Sequence, residues 1–193
     1  AYTAWWQMDS KLSAPKNSNL KTVMDFSFFD KINIAKTEQT ETWFKGLDRV
    51  YNNFVYDFLY PNPASVLAFI ENHDTDRFLG EGDNLPMLKQ ASTLLLTTRR
   101  IPQLYYGTEI MMNGVKSKSD GYVRKDFPGG WTGDTETALT AAGRSKIQNE
   151  CYNFYKTLLN WRKGNDVIAK GSMVQFMVQN GVYAYARQHE GKT

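Results

Sequence analysis

The sequence has very little cysteine and histidine, with one Cys and two His among 193 residues. Cys151 cannot form an internal disulfide by itself, so cysteine usage leaves the redox compartment open. His73 and His189 are far apart in the sequence, and no HExxH, CxxC or EF-hand pattern accompanies them. We therefore expect neither a metal site nor a cofactor.

Long apolar runs and clusters of like charge are also missing. No stretch approaches the roughly 20 apolar residues that a membrane-spanning helix needs, so we expect no membrane protein. The net charge is only +3, and the basic residues are scattered rather than gathered into a stripe, which argues against nucleic acid as a partner. The first ten residues, AYTAWWQMDS, lack the basic and apolar regions of a signal peptide.

Three apolar runs have the length and composition of buried strands. They are TVMDFSFF at 22–29, SVLAFIEN at 65–72 and IPQLYYG at 101–107. Amphipathic patterns follow each run, through Trp43–Phe58, Leu85–Leu95 and Ile147–Trp161. Strands that alternate with helices in this order predict an α/β fold with a parallel sheet.

The pattern changes after Asn165. GSMVQFMVQNGVYAYARQ, at 171–188, indicates two strands joined at Asn180–Gly181, because Asn-Gly is the strongest short signal for a β-hairpin. We therefore predict two domains, an α/β part at 1–165 and the start of a β domain at 166–193. Both ends of the sequence look cut, because neither predicted domain is complete. A sheet of about three βα units has open edges, so we expect the chain to be a piece of a larger (β/α)₈ barrel or to self-associate through those edges.

Polar residues at the ends of the predicted strands are candidates for function, since parallel α/β folds bind substrates at the carboxyl ends of their strands. Glu71, Asn72, His73 and Asp74 follow the second strand, and Tyr105 and Tyr106 end the third. An aspartate after a strand is also a common turn former. The residues alone therefore leave two interpretations open, a braced loop and a substrate site.

Several words in the chain resemble the α-amylase superfamily, glycoside hydrolase family 13. FIENHDTDR, at 69–77, is similar to the family's fourth signature region, and IPQLYYGTE, at 101–109, resembles the eighth barrel strand. DGYVRKDFPGGW, at 120–131, is similar to the loop that follows this strand in neopullulanases and cyclomaltodextrinases. The resemblance implies the C-terminal part of a TIM (β/α)₈ barrel, followed by the first hairpin of a β-sandwich domain.

The resemblance also implies roles for individual residues. Asp74 matches the family's third catalytic carboxylate, which holds sugar hydroxyls and stabilises the transition state without attacking the sugar. His73 matches a histidine that hydrogen-bonds the same sugar. The other predicted substrate-binding positions follow the same loops and are Asn72, Arg77, Tyr105, Tyr106, Asp126 and Trp131. For Asn72 and Arg77, with Glu71, the alternative is a positioning role or an internal ion pair, and for the other four the alternative is structural support of the cleft.

The two carboxylates of the covalent chemistry are not in this sequence. In the family the nucleophile lies in a G-x-R-x-D word and the general acid in a Glu-x-Trp-like word. Glu41-Thr42-Trp43 has the letters of the Glu-x-Trp word. However, it comes after TVMDFSFF, which matches the place of the family's sixth strand, and the general acid must precede that strand. We expect both groups upstream of Ala1, in a longer retaining enzyme that hydrolyses α-1,4 bonds, with α-1,6 bonds as a second expected linkage. We expect these 193 residues alone to be inactive.

The expected partners are α-glucans, namely maltooligosaccharide, pullulan and cyclodextrin. A non-catalytic carbohydrate-binding module, with Trp5, Trp6 and Trp131 as stacking platforms, is the alternative from another functional class. A third possibility is a family member that has lost its activity and serves in an interaction. By analogy with the family, the expected location is the periplasm, with the cytoplasm as the alternative.

Overall fold

A computed structural model describes residue 4 and residues 6–10, 17–38 and 43–193. Trp5, Glu41 and Thr42, which were considered above, lie outside the described residues. The chain forms two compact units. The first contains Ala1–Ile70, Leu94–Gln103 and Arg162–Thr193, and the second contains Glu71–Thr93 and Leu104–Trp161. No helix in the described residues is both long and apolar enough to cross a membrane.

The first unit contains a small parallel sheet. Strand β1 (Leu67–Ala68) pairs with β2 (Ile101–Pro102), and Met24 forms a parallel bridge with Leu67 on the other side. The bonds Leu67 N to Val23 O (2.9 Å) and Ile101 N to Val66 O (3.0 Å) connect the three segments in sequence order. The predicted parallel pairing is therefore present, but the strands are much shorter than the apolar runs.

The predicted strand at 22–29 is wrong beyond Met24. The chain leaves the sheet at Asp25, whose carboxylate accepts a 2.9 Å hydrogen bond from Phe28 N and caps helix α1 (Phe26–Ala35). Phe28 and Ile32, one helical turn apart, are the buried residues of α1. A short apolar run satisfies both strand and helix patterns, and here the capping residue decides between them.

Helix α2 (Leu47–Val55) follows, and continues as a 3₁₀ turn at Tyr56–Leu59. Val50 and Phe54 of the predicted apolar stripe are buried, whereas Trp43 is 78% exposed and Phe58 is 75% exposed. The helix is thus shorter than its pattern at both ends. A further 3₁₀ turn at Pro63–Ser65 leads into β1.

The side chain of Arg100 forms the polar centre of the first unit. It is fully buried, forms ion pairs with Asp25 and with Asp57 (2.9 Å to Oδ1), and its guanidinium carbon lies 4.7 Å from the centre of the Phe54 ring. Arg99 forms an ion pair with Asp57 as well.

The β-hairpin forms at the predicted position. Strands β3 (Ser172–Gln175) and β4 (Tyr185–Gln188) are antiparallel, and helix α6 (Asp166–Lys170) precedes them. Asn180 and Gly181 have φ of 51° and 71°, and Gln179 N donates to Val182 O at 3.1 Å. These are the two positive φ values that a type I′ turn requires, and for which Asn-Gly is selected. The predicted domain division at residue 165 stays a prediction.

Helix α3 (Leu85–Thr97) runs from the second unit into the first, and all four residues of its predicted stripe, Leu85, Leu88, Ala91 and Leu95, are buried. Helix α5 (Lys146–Lys163) likewise begins in the second unit. Its buried residues are Cys151 and Tyr155, while Ile147 and Trp161, predicted on the stripe, are 39% and 47% exposed.

Short segments complete the second unit. A 3₁₀ turn spans Thr108–Ile110, and the short helix α4 spans Asp120–Val123. The Ser119 hydroxyl accepts a 3.1 Å hydrogen bond from Tyr122 N and caps α4. Loops therefore make up most of the region 71–131, in which all the predicted site residues lie.

Replacing Arg100 with leucine is expected to lower the free energy of unfolding by about 3–5 kcal/mol, because Asp25 and Asp57 would lose their cation inside the core. Urea denaturation followed by circular dichroism measures this loss. The control is Lys170→Leu, which removes an exposed i,i+4 ion pair with Asp166 and should change stability by less than about 1 kcal/mol. Similar small losses in both variants would contradict the assignment.

The Glu38 carboxylate accepts two hydrogen bonds of 2.5 Å from Arg49, and this pairing lowers its pKa from 4.5 to about 2. The folded state therefore favours the ionised carboxylate. Its stabilising contribution is expected to be complete above pH 4.5 and to be lost as the pH falls through about 2. Carbon-13 NMR of the carboxyl group measures this titration. In Arg49→Met the pKa should return toward 4.5, and an unchanged titration would refute the pairing.

Candidate functional site

The predicted site begins where the chain enters the second unit. Glu71 and Asn72 are buried, and His73 and Asp74 are exposed. The Asn72 side chain shapes this change of direction, because its Oδ1 accepts a hydrogen bond of 2.8 Å from Asp74 N. The hydroxyl of Thr75 accepts another of 3.0 Å from Asn72 N. The resulting tight turn projects His73 and Asp74 away from the protein interior.

The carboxylate of Asp74 faces solvent between two donors. Its Oδ2 lies 3.2 Å from His73 Nε2, and its Oδ1 lies 3.1 Å from Arg124 Nη2. The side chain is nevertheless 56% exposed, so the carboxylate is not locked in an internal salt link. A ligand hydroxyl can reach it from the solvent side.

Arg124 is a site residue that the sequence analysis did not identify. Its Nε donates to the backbone oxygen of His73 at 2.8 Å, and its Nη2 also pairs with Asp120 at 3.2 Å. Asp120 and Arg124 are four residues apart, at the two ends of the short helix α4, and this spacing was the available signal. Arg124 thereby fixes both the backbone and the carboxylate of the His73-Asp74 pair.

Arg77 was predicted to bind substrate or to form an internal ion pair, and the structure shows the ion pair. Its side chain is fully buried and pairs with Glu71 at 3.2 Å. It also donates to the backbone oxygens of Tyr106 (2.6 Å) and Val123 (3.0 Å). A guanidinium without exposed surface cannot contact a ligand, so Arg77 is a positioning residue that holds three loop segments together.

Glu71 is the buried acceptor at the centre of these loops. It accepts hydrogen bonds from Thr108 Oγ1 and Phe78 N, each of 2.5 Å, in addition to its ion pair with Arg77. Burial nonetheless raises the pKa of this carboxyl group above its usual value. Its position and its partners make it a structural group of the site.

Asn72 was also predicted to bind substrate, and the structure shows a different role. The residue is 1% exposed, and its Oδ1 is used within the turn. Its Nδ2 is buried and has no hydrogen-bond partner among the described residues. Asn72 therefore acts through Asp74, by fixing the backbone that carries this carboxylate.

Tyr105 and Tyr106 lie next to each other beside Arg77, with their ring centres 4.6 Å apart. The Arg77 guanidinium carbon is 4.0 Å from the centre of the Tyr105 ring and 4.9 Å from that of Tyr106. Burial, with the neighbouring Tyr106 hydroxyl, raises the pKa of Tyr105 to about 12, so its hydroxyl stays protonated. Tyr106 is 40% exposed and donates its hydroxyl to Lys125 O at 2.7 Å. The two rings therefore pack against the Arg77 guanidinium, and the exposed part of the Tyr106 side chain is accessible to a ligand.

Asp126 and Trp131 lie in the loop after α4. Trp131 is 68% exposed, and its backbone is held by Asp134, whose Oδ2 accepts from Trp131 N (3.1 Å) and Gly129 N (2.9 Å). Asp126 is exposed. Within residues 71–161, all of which the structure describes, no hydrogen bond or ion pair joins either residue to Asp74. Their predicted contact with substrate stays a prediction.

Metal and thiol chemistry have no support in the described residues. No group of three or more His, Cys, Asp or Glu side chains is arranged to hold a metal ion there. Cys151 is buried, and burial raises the pKa of its thiol to about 12. The chemistry available at the site is therefore that of one exposed carboxylate with an imidazole and a guanidinium beside it. These groups can hold neighbouring hydroxyls and a developing positive charge.

No family model matches the chain. The chain is 33% identical over 172 residues to the cyclomaltodextrin glucanotransferase of Thermoanaerobacterium thermosulfurigenes, with 89% of this chain and 21% of that protein covered. It is 31% identical over 172 residues to the α-amylase of Niallia circulans, where 89% of this chain and 29% of that protein are covered. The chain thus spans less than a third of the length of these relatives.

Solved structures share the fold of the chain. The α-amylase of Geobacillus thermoleovorans, in complex with acarbose, has a TM-score of 0.66 at 22% identity, over 89% of this chain and 35% of that one. A cyclomaltodextrinase has a TM-score of 0.64 at 18% identity, over 89% of this chain and 27% of that one. The chain accordingly has the α/β fold of part of a barrel enzyme.

The words that suggested the resemblance and the comparisons with known proteins lead to the same family. The chain is a homologue of the cyclomaltodextrin glucanotransferases and α-amylases of glycoside hydrolase family 13, the α-amylase superfamily.

Proposed function

We propose that the chain contributes to an α-glucan site the carboxylate that stabilises the transition state, and that this carboxylate is Asp74. The observation that carries the proposal is its geometry, an exposed carboxylate 3.2 Å from His73 Nε2 and 3.1 Å from Arg124 Nη2. Such a carboxylate accepts hydrogen bonds from two adjacent sugar hydroxyls, and these bonds strengthen as the sugar ring acquires oxocarbenium character.

The neighbours of Asp74 have separate roles in this proposal. His73 donates to a sugar hydroxyl or oxygen through its imidazole, which is 57% exposed. Arg124 orients the carboxylate, and the buried pair of Arg77 and Glu71 keeps the loops in place. Because Asp74 must exchange a protein partner for a sugar hydroxyl, its ion pair with Arg124 is expected to loosen or rearrange when a ligand binds.

The longer protein is proposed to hydrolyse α-glucosidic bonds with retention of configuration. This mechanism needs a nucleophile and a general acid about 5–5.5 Å apart. The G-x-R-x-D word does not occur in the sequence, and Glu41-Thr42-Trp43, which has the letters of the Glu-x-Trp word, comes after the run at 22–29 and so in the wrong place for the general acid. The DFPGGW word at 126–131 supports a neopullulanase or cyclomaltodextrinase type, with pullulan and cyclodextrin among the substrates in addition to maltooligosaccharides.

A non-catalytic carbohydrate-binding module is a second candidate. The exposure of two indole rings favours it, since Trp6 is 65% exposed and Trp131 is 68% exposed. In such a module aromatic stacking provides most of the affinity, and the Asp74 carboxylate has no special role. The two candidates therefore predict different responses to the same pair of substitutions.

Asp74→Asn is expected to weaken the binding of maltotriose by the chain at least about tenfold, because a hydrogen bond to a charged group contributes about 1.5–3 kcal/mol. Two-dimensional NMR titration, followed at the backbone amides of residues 72–76, measures the affinity. Trp131→Ala is expected to have a smaller effect than Asp74→Asn.

Asp83→Asn is the matched control, since it makes the same change of charge at an exposed carboxylate of the same unit and should leave the affinity unchanged. Equal affinity in the native chain and Asp74→Asn would refute the proposed role of Asp74. A large loss in Trp131→Ala alone would favour the binding module.

The 193-residue chain alone is expected to release no reducing sugar from maltooligosaccharides, pullulan or cyclodextrin, because it lacks the family's nucleophile and general acid together. A reducing-sugar assay on the pure chain checks this expectation. The blank is Asp74→Asn prepared in the same way. Turnover that exceeds the blank would show that a nucleophile and an acid are present among these residues.

A further inference from the structure

A cavity of about 420 Å³ lies in the first unit, beside helices α1 and α2 and distant in sequence from Asp74. Its volume is within the range of about 300–1,000 Å³ that small-molecule sites occupy. Two of its lining residues, Phe44 and Tyr56, remain 62% and 53% exposed, so the cavity opens to solvent at these rings. The proposed function uses none of the residues that line it.

The charges of the lining are balanced. Asp30 and Lys31 are adjacent residues of α1 with opposite charges. The guanidinium of Arg49 is already paired with the Glu38 carboxylate through two hydrogen bonds of 2.5 Å. The lining together with Glu38 therefore has no net charge, so no excess of one sign selects an anionic or a cationic ligand. A neutral ligand is the better fit.

The amide of Asn53 has an unused acceptor. Asn53 lines the cavity and is 7% exposed, and its Oδ1 is buried with no hydrogen-bond partner among the described residues. The terminal torsion of an asparagine side chain is broad, so a small rotation brings Oδ1 to the cavity surface. The ligand that completes this group must carry a hydrogen-bond donor, such as a hydroxyl.

The two exposed rings give the cavity an aromatic rim. Phe44 has a left-handed backbone, with φ of 63°, and its amide donates to the Asp48 carboxylate at 2.6 Å. Asn52, which lines the cavity, donates to the same carboxylate at 3.0 Å. The position of the Phe44 ring is therefore fixed by the polar groups of α2. An aromatic face of this kind packs against the C–H face of a sugar.

We propose that this cavity is a second carbohydrate site, which binds one or two residues of a neutral sugar chain independently of Asp74. The combination of balanced charge, an unused acceptor and exposed aromatic rings matches a ligand that has hydroxyl donors on its edge and C–H groups on its face. Asn53 accepts from a sugar hydroxyl, and Phe44 and Tyr56 pack against the ring.

The test is NMR titration of the asparagine-labelled chain with maltotriose up to about 20 mM, which half-saturates a site of low-millimolar affinity or better. The side-chain NH₂ signals of Asn52 and Asn53 are expected to shift saturably. Tyr56→Ala should weaken this response at least about fivefold, and Phe44→Ala should do the same. Phe58→Ala is the matched control, because Phe58 is a nearby ring, 75% exposed, that does not line the cavity.

Asp74→Asn separates the two proposals. The Asn53 response should persist in this variant with unchanged affinity, whereas the response of residues 72–76 should be lost. Absence of any Asn53 shift, or an equal response in Tyr56→Ala and the native chain, would overturn the second site and leave the role of Asp74 standing. Loss of the Asn53 response in Asp74→Asn would show one site rather than two, and would also refute the proposal.

Discussion

The proposed site depends on a single buried guanidinium. Arg77 pairs with Glu71 directly after the point where the chain enters the second unit, and it donates to the backbone at Tyr106 and Val123. These bonds connect the turn that carries Asp74 to the two loops that carry Tyr106 and Arg124. Loops are the least constrained part of a protein, and here a buried ion pair with hydrogen bonds to two backbone oxygens gives them a defined arrangement.

Parts of the fold with a strong local signal were predictable from the sequence. The Asn180-Gly181 turn was predictable because few other residue pairs adopt two positive φ values. Helix α3 was predictable because its apolar positions repeat with the helical period over three turns. The run at 22–29 was not predictable in this way. Its eight residues are too few to separate a strand from a helix, and the cap at Asp25 that separates them depends on a side-chain bond.

The same distinction applies to the site. The exposed carboxylate of Asp74 could be placed from its position after a strand, and the words around it resembled a known family. The sequence left open whether Arg77 binds substrate or forms an internal ion pair, because sequence position does not show whether a charged residue has its partner inside the protein. Arg124 was missed because its contact with Asp74 forms only when the loop after the third strand folds back. Its spacing from Asp120 was visible in the sequence but did not show this contact.

The backbone of Phe44 has a consequence for how this surface is maintained. A residue with a Cβ in the left-handed region is destabilised by about 1–2 kcal/mol relative to the right-handed conformation, and glycine would remove that penalty. A bulky aromatic residue therefore occupies a place where chain stability alone would select the smallest one. Phe44→Gly should therefore give a more stable chain without the aromatic surface, whereas other residues with a Cβ would keep the backbone penalty.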